Sequence, residues 1–174
     1  MNYLYHMVGD FRGEELMPLH RLKDKYPQVY KKEIKKYVGR EGILKLKVPH
    51  LNCLWNDVLH FTSVHPLKIK KALRKSGIRS FKKWRFFKIN PKLLEKDKTM
   101  VFLFPENRKK RYLPEAFVPL KISNLSKYAK INKRTLGYYK KEIKNKRRPL
   151  LYYLIPHILY KGILNKKDLE IIEV

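Results

Sequence analysis

The apolar residues of this chain are grouped into short segments, and this grouping limits the folds that the chain can adopt. Runs of five or six residues, rich in aromatic and branched side chains, stand at the start, middle and end: "YLYHMV", "WRFFKI", "MVFLF", "HILYKG" and "LEIIEV". Such runs between turn residues predict β-strands. Segments with helical spacing lie between them, so the sequence predicts a mixed α+β fold of short strands with inserted helices.

Proline and glycine mark the ends of the predicted helices. Apolar residues recur every three or four positions from Pro18 to Gly39, which predicts two helices that meet at Pro27. The segment "PLKIKKALRKSG" predicts a further helix that begins at Pro66 and ends at Gly77.

The last third of the chain is predicted to contain a loop, helices and closing strands. Residues 105–119 are predicted as a loop, residues 123–146 as helical, and "PLLYYLIP" as a strand. No internal repeat or low-complexity linker divides the chain, and 174 residues is a usual length for one domain. We therefore expect a single basic α+β domain over residues 1–174.

The charge of the chain indicates an anionic partner. Lys and Arg number 42 against 15 Asp and Glu, which gives a net charge of +27 at pH 7. Because 44 % of the residues are hydrophobic, the chain can bury a core, which excludes a disordered basic tail. We expect nucleic acid, DNA or RNA, as the partner. Two alternatives stay open: a basic or membrane-surface protein, and a toxin or effector whose lysines reflect an AT-rich genome.

Several classes of protein are excluded by what the sequence lacks. No apolar run reaches the ~18 residues that a membrane span needs, and the first residues do not have the pattern of a signal peptide. We therefore expect a cytoplasmic, intracellular protein. Cys53 is the only cysteine, so an internal disulfide is excluded, and we expect a buried structural thiol. The histidines lack the short spacing of local metal motifs, so no metal is expected.

The segment "LNCLWNDVLHFTSVHP" is unusually rich in amides, hydroxyls and imidazoles for a strand. If it is a continuous strand, Asn56, His60 and Thr62 share one face, whereas Asp57 and Ser63 point the other way. A row of amide, imidazole and hydroxyl groups can orient a phosphate or a ribose.

Two more histidines, His6 and His157, stand in other strand-like segments. We predict that His6, His60 and His157 line one pocket and carry its chemistry. The alternative for each is a core histidine that is hydrogen-bonded to backbone. The residues predicted to bind the ligand of this pocket, a small-molecule nucleotide, are Tyr5, Asn56, Thr62 and Ser63.

The segment "NLSKYAKINKRTLGYYKKEIKNKRR" has the pattern of a helix-turn-helix. An inner face of two helices can be formed by Leu125, Ala129, Ile131, Leu136 and Tyr139. Asn132 stands where the second helix needs a cap. The residues predicted to contact nucleic acid are Lys133, Arg134, Tyr138, Lys140, Lys141, Lys144, Arg147 and Arg148. The alternative is an ordinary basic hairpin that contacts only the phosphate backbone.

Three segments together resemble the DarT-type ADP-ribosyltransferases. They are the opening strand "YLYHMV" with its Tyr–His pair, the middle segment "HFTSVHP" and the closing run "IPHILYKGILNKKDLEIIEV". The resemblance implies an ADP-ribosyltransferase-like fold that binds NAD in a cleft between two small sheets and transfers ADP-ribose to an acceptor, which in the DarT group is a DNA base. His6 would match the first-strand histidine near the nicotinamide ribose, and Thr62 or Ser63 the second-strand hydroxyl.

The chain departs from that family at one important position. The family has its catalytic Glu at the start of the penultimate strand, where this chain has His157, and Glu170 and Glu173 do not match it. Our leading hypothesis is a nucleic-acid-associated transferase that uses NAD. The alternative is a non-catalytic DNA- or RNA-binding protein that uses the basic hairpin of residues 124–146.

Overall fold

Short antiparallel strands and five α-helices make up the α+β fold in the computed structural model, which describes residues 2–174. The helices are α1 (Leu19–Lys25), α2 (Pro27–Ile34), α3 (Pro66–Lys75), α4 (Leu125–Tyr128) and α5 (Lys133–Lys144). The strands are β1 (Leu4–Met7), β2 (Glu15–Leu16), β3 (Lys47–Val48), β4 (Cys53–Leu54), β5 (Leu59–Phe61), β6 (Arg85–Ile89), β7 (Thr99–Phe102), β8 (Phe117–Pro119), β9 (His157–Tyr160), β10 (Leu164–Asn165) and β11 (Glu170–Glu173).

The ends of the predicted helices are confirmed where proline, glycine or asparagine sets them. Pro27 begins α2 directly after α1, and Pro66 begins α3. Gly77 follows α3 and has a φ of +114°, a backbone conformation that glycine adopts without steric cost. The predicted helical segment ends at this residue. Asn132 caps α5, because its Oδ1 accepts a hydrogen bond from Thr135 N at 2.7 Å. None of the helices within residues 2–174 is long and apolar enough to cross a membrane.

Two antiparallel sheets form the centre of the fold. One has the strand order β1-β6-β11 and the other the order β5-β9-β7-β8, while β2-β10 and β3-β4 form two-stranded sheets. The two larger sheets meet at a bridge between Tyr5 and Thr62. Tyr5 N donates to Thr62 O at 2.8 Å, and Thr62 N donates to Tyr5 O at 3.0 Å. The first strand is therefore in contact with the fifth across this junction.

Three groups of buried side chains hold these elements together. The first fills the space shared by the two larger sheets, with Leu4, Phe87 and Val101 among its members. The second, which includes Trp55 and Phe102, covers the opposite face of the four-stranded sheet. The third packs α3 against α5, and its members include Ile69, Ala72, Leu73 and Tyr139. The apolar faces predicted for α3 and α5 thus pack together in a separate hydrophobic core.

The polar segment is not the continuous strand that its composition predicts. The chain forms β4, a single 3-10 turn at Trp55–Asp57, and then β5. Asp57 causes the break, because its Oδ2 accepts a hydrogen bond from Leu54 N at 2.8 Å. Asn56 therefore lies in the turn and does not share a strand face with His60. Asp57 does not simply point away, since its carboxylate holds this turn.

Two further predictions along the chain are wrong in part. "PLLYYLIP" forms turns instead of a strand, and Leu154 within it has a φ of +56°. The predicted loop of residues 105–119 contains β8 at its end.

The predicted helix-turn-helix also differs from the structure. Its first helix, α4, has only four residues, so it is a single turn. The predicted inner face is divided, because Leu125 belongs to the core between the sheets whereas Tyr139 packs in the core of α3 and α5. The helix that packs alongside α5 is α3. This arrangement is a basic helical segment without the two-helix geometry of the motif.

We predict that Asn132→Ala lowers the free energy of unfolding by about 1–2 kcal/mol, because the cap of α5 is removed. Asn132 Nδ2 also donates to Leu154 O at 3.3 Å, so the substitution removes a link to the turn before β9. Urea denaturation measures the change. Asn132→Asp is the matched control, since it keeps the capping oxygen and should retain most of the stability. An Ala variant as stable as the wild type would contradict the role of this cap.

Candidate functional site

The structure brings the three predicted histidines into one neighbourhood, which we call the histidine cluster: His6, His60 and His157. His6 lies on β1, His60 on β5, and His157 begins β9. His6 Nδ1 lies 2.8 Å from His60 O, and the ring centroids of His60 and His157 are 6.4 Å apart. All three side chains are partly buried.

The register of β5 and β9 explains why two of these rings are neighbours. His60 pairs with Leu159, so His157, two residues earlier on β9, lies on the same face of the sheet. Trp55 covers this face, with its ring centroid 4.7 Å from His60 and 6.1 Å from His157. The ring of His6 lies beyond the edge of β5 and packs edge-on against Phe61 at 5.8 Å.

Each ring of the cluster uses one nitrogen to donate a hydrogen bond to a backbone carbonyl. His6 Nδ1 donates to His60 O, His60 Nε2 to Trp55 O at 2.9 Å, and His157 Nδ1 to Ile155 O at 2.7 Å. Because a carbonyl only accepts, the bonded nitrogen carries the proton in each case. The second nitrogen of a neutral ring then has a lone pair that can accept a hydrogen bond from a hydroxyl or an amide.

Burial holds these three histidines in the neutral form at pH 7. Desolvation, together with the neighbouring His157, lowers the pKa of His60 to about 3. Desolvation lowers the pKa of His157 to about 4, against the opposing effect of its backbone hydrogen bonds. The pKa of His6 is lowered as well, first by desolvation and then by the charge of Lys36. Such weakly basic imidazoles are suited to accept hydrogen bonds from a ligand.

Two cations act on the cluster from the segment after α2. Lys36 influences His6, and Arg40 lowers the pKa of His157. The Arg40 guanidinium donates to Lys36 O at 2.8 Å and lies 5.5 Å from the centroid of the Tyr37 ring. This segment thus places the charge of Arg40 near neutral hydrogen-bond acceptors, while Lys36 is paired with Glu33.

The other predicted ligand-binding residues occupy different settings around the junction of the sheets. Tyr5 is buried and packs edge-on against His65 at 5.0 Å between ring centroids. Thr62 Oγ1 accepts from Val64 N at 3.1 Å. Asn56 Oδ1 and Ser63 Oγ are buried, and neither has a hydrogen-bond partner among the described residues of the protein. Buried polar atoms without a hydrogen-bond partner lower the stability of the folded state.

A histidine that the sequence reasoning missed lies beside Asp57. His20 Nδ1 is 3.1 Å from Asp57 Oδ1, in a contact whose angle does not suit a hydrogen bond. This pair stands between two surface pockets of about 440 and 470 Å³, one of which includes Asp57 and the other His20. Neither pocket is lined by the histidine cluster. Only the tertiary fold brings α1 to the turn after β4, so no local spacing could reveal the pair.

Cys53 borders the smaller pocket and is partly buried. Desolvation raises the pKa of its thiol, so the thiolate that a nucleophile needs is disfavoured. Among the residues that the structure describes, no group of three or more His, Cys, Asp or Glu side chains is arranged to hold a metal ion.

The residues predicted to contact nucleic acid are distributed along α5 and the segment after it. Exposed side chains are those of Lys133, Arg134, Lys140, Lys141, Lys144, Arg147 and Arg148. Arg134 pairs with Glu106, and Arg147 forms a two-pronged ion pair with Glu142 at 2.7 and 2.9 Å. Tyr138 stacks on Tyr153 at 4.0 Å, so its ring is engaged within the protein.

Comparison of the chain with known protein families, with curated proteins and with solved structures finds no match. The functional argument therefore depends on the residues of this chain and on their geometry.

We predict that the free energy of unfolding falls as the pH is lowered from 6.5 to 5. An unfolded histidine takes up a proton near pH 6.5, whereas the pKa values of His60 and His157 are about 3 and 4 in the folded protein. The unfolded state therefore binds more protons in this window, and each of these histidines contributes up to about 1.4 kcal/mol per pH unit. Urea denaturation across the window measures the slope.

His60→Gln and His157→Gln should each reduce that slope. His50→Asn is the control, because His50 is exposed and Asn tolerates its φ of +66°. A wild-type stability that is constant between pH 5 and 6.5 would show that the cluster is not held neutral.

Proposed function

We propose that the chain is a nucleic-acid-associated transferase that binds NAD at the histidine cluster and transfers ADP-ribose, as its resemblance to the DarT-type ADP-ribosyltransferases implies. The observation that carries the proposal is the position of the cluster. His6 bonds to His60 O where the three-stranded and four-stranded sheets meet. The resemblance implies a dinucleotide cleft between two small sheets, with a histidine of the first strand beside the nicotinamide ribose.

The chemistry of the donor set fits a dinucleotide. Ribose hydroxyls and the nicotinamide amide are hydrogen-bond donors, and the neutral imidazoles of the cluster have lone pairs to accept from them. Arg40, an exposed cation after α2, acts on His157 and would supply positive charge for a pyrophosphate, whereas Lys36 is paired with Glu33. Asn56 follows Trp55, whose ring covers His60, and its buried Oδ1 has no partner among the described residues. The imidazoles and Arg40 would hold the cofactor at the partly buried histidines.

When bound, NAD supplies an ADP-ribose group: the bond from ribose C1′ to the nicotinamide nitrogen breaks, nicotinamide leaves with the electron pair, and the acceptor atom bonds to C1′ and releases its proton. The protein has to orient the ribose and to take up or pass on that proton. With pKa values of about 3 and 4, His60 and His157 are too weakly basic to be efficient general bases at pH 7. We assign them the orienting role.

The acidic residue of the family has no counterpart at the start of β9, where His157 stands. Glu33 is a carboxylate whose charge acts on His6, and it pairs with Lys36. Glu33 lies on α2 and not on the penultimate strand. We therefore include Glu33→Gln in the tests, as a variant that should lose transfer if this carboxylate replaces the acidic residue of the family.

We predict that NAD raises the melting temperature of the wild-type protein in proportion to the logarithm of its concentration above the Kd. His60→Gln and His157→Gln should weaken NAD binding by about tenfold or more, because each removes an acceptor and one of its supporting bonds. Isothermal titration measures the affinity, and circular dichroism checks that each variant is folded. His50→Asn should bind like the wild type.

The absence of saturable NAD binding to the wild-type protein would exclude this function. Equal NAD affinity in wild type, His60→Gln and His157→Gln would remove the cluster from the site even if NAD bound elsewhere.

A second candidate is a non-catalytic DNA- or RNA-binding protein, and the exposed cations of α5 favour it. Lys133 and Arg134 lie at the start of this helix, and Lys140, Lys141 and Lys144 follow on its exposed side. Because Tyr138 is stacked within the protein and α4 is a single turn, we expect binding to phosphate and not readout of bases.

We predict that Lys133→Ala/Arg134→Ala weakens binding to all nucleic-acid sequences about equally. The slope of log affinity against log salt should fall by about 0.9 for each duplex phosphate that the variant no longer neutralises. Fluorescence anisotropy with two unrelated sequences measures both quantities. Lys31→Ala/Lys35→Ala, on α2 and directly after it, removes the same charge from exposed positions and is the control. A change of preference at a single base would instead support a helix that reads sequence.

A further inference from the structure

A second helix, α3, lies alongside α5 and carries cations that the helix-turn-helix pattern did not include. Lys68 Nζ donates to Ala129 O at 3.4 Å near the start of both helices. At the other end, Gly77 faces Ile143, and a Cβ added to this glycine would lie 3.4 Å from its side chain. The two helices therefore run side by side in the same direction.

We call the solvent-exposed sides of these two adjacent helices the two-helix face. Its exposed cations are Lys71, Arg74, Lys75, Lys140, Lys141 and Lys144. The sequence of α3 contains no acidic residue, and Glu142, the acidic residue of α5, is paired with Arg147. Within α3 and α5, therefore, no carboxylate opposes these six cations without a partner of its own, and Glu106 pairs with Arg134 at the start of α5. The segment of α2 and the turn after it differs, because Lys32 pairs with Asp10 and Lys36 with Glu33.

Aromatic rings at the edge of α3 hold two cations in place. Lys70 Nζ lies 5.5 Å from the centroid of Phe81 and 5.6 Å from that of Trp84, and Arg74 Cζ lies 5.6 Å from Phe81. The two rings pack edge-on at 5.5 Å. Because a cation lies over each ring, at least one face of each ring is not free to stack on an unpaired base.

We propose that the two-helix face binds the phosphate backbone of a nucleic-acid duplex without sequence preference. Residues four apart on one helix lie on the same side, and Lys71 with Lys75 and Lys140 with Lys144 form two such rows on adjacent helices. Rows of cations fixed on rigid helices suit the regular phosphates of a duplex, whereas a single strand is usually bound by exposed aromatic rings. The inference rests on the nucleic-acid part of the proposed function and names its partner and surface.

The test compares two charge swaps of equal size. Lys71→Glu/Lys75→Glu alters α3, whereas Lys31→Glu/Lys35→Glu alters two exposed positions four apart, on α2 and directly after it. Affinity for one DNA duplex is measured by fluorescence anisotropy over a series of salt concentrations. We expect the α3 swap to weaken binding about tenfold or more and to lower the salt slope by about 0.9 for each phosphate that is no longer neutralised. The α2 swap should have a much smaller effect.

Further variants and ligands distinguish the ways in which the proposal can be wrong. Lys140→Glu/Lys144→Glu should reproduce the effect of the α3 swap, and circular dichroism confirms that each variant is folded. A wild-type protein that binds no duplex even at low salt would overturn the nucleic-acid part of the proposed function. If the α2 and α3 swaps weaken binding equally, the two-helix face alone is overturned. Tighter binding to a single strand of the same sequence, or to vesicles of anionic lipid, would overturn the choice of a duplex.

Discussion

The contact between β1 and β5 is the constraint on which the arrangement of this protein depends. Two backbone hydrogen bonds between Tyr5 and Thr62 join the two larger sheets, and the His6 ring adds a third bond to His60 O. Buried backbone groups must be paired, so these bonds fix how the edges of the sheets meet. The apolar residues that the sheets share then fill the space behind the junction. The histidine cluster is a consequence of this meeting, because its members come from β1, β5 and β9.

The high charge of the chain is compatible with this fold because apolar packing and charge are separated. The buried polar or charged residues among residues 2–174 are Thr62, Ser63, Thr99 and Thr135, none of which is ionisable at pH 7. The lysines and arginines whose burial the structure describes lie outside the core, where water and salt screen their mutual repulsion. The mutual repulsion within a net charge of +27 still destabilises the folded protein. A polyanion that binds the folded protein would relieve that repulsion.

The sequence predicted those elements whose ends depend on local chemistry. Pro66 with Gly77 bounded α3, and Asn132 began α5, because each residue acts on its own backbone. The prediction of a continuous strand for the polar segment was wrong. The alternation of residue types does not reveal that the Asp57 carboxylate accepts a hydrogen bond from Leu54 N and turns the chain. The pairing of α5 with α3 also could not be read from the sequence, as residues far apart in the chain decide it.

The sequence singled out three histidines that lie near one another in the structure, but it did not predict their hydrogen bonds. That they form a binding site stays a prediction. Strand-like surroundings singled out His6, His60 and His157, yet a histidine bonded to backbone and a histidine that lines a site are alike in sequence. In the structure one nitrogen of each ring is bonded to a backbone carbonyl, and each of the three residues is partly buried. The low pKa values of these rings come first from desolvation, and Lys36 and Arg40 add to it at His6 and His157. The same burial that packs the rings into the protein therefore keeps the imidazoles neutral and able to accept hydrogen bonds.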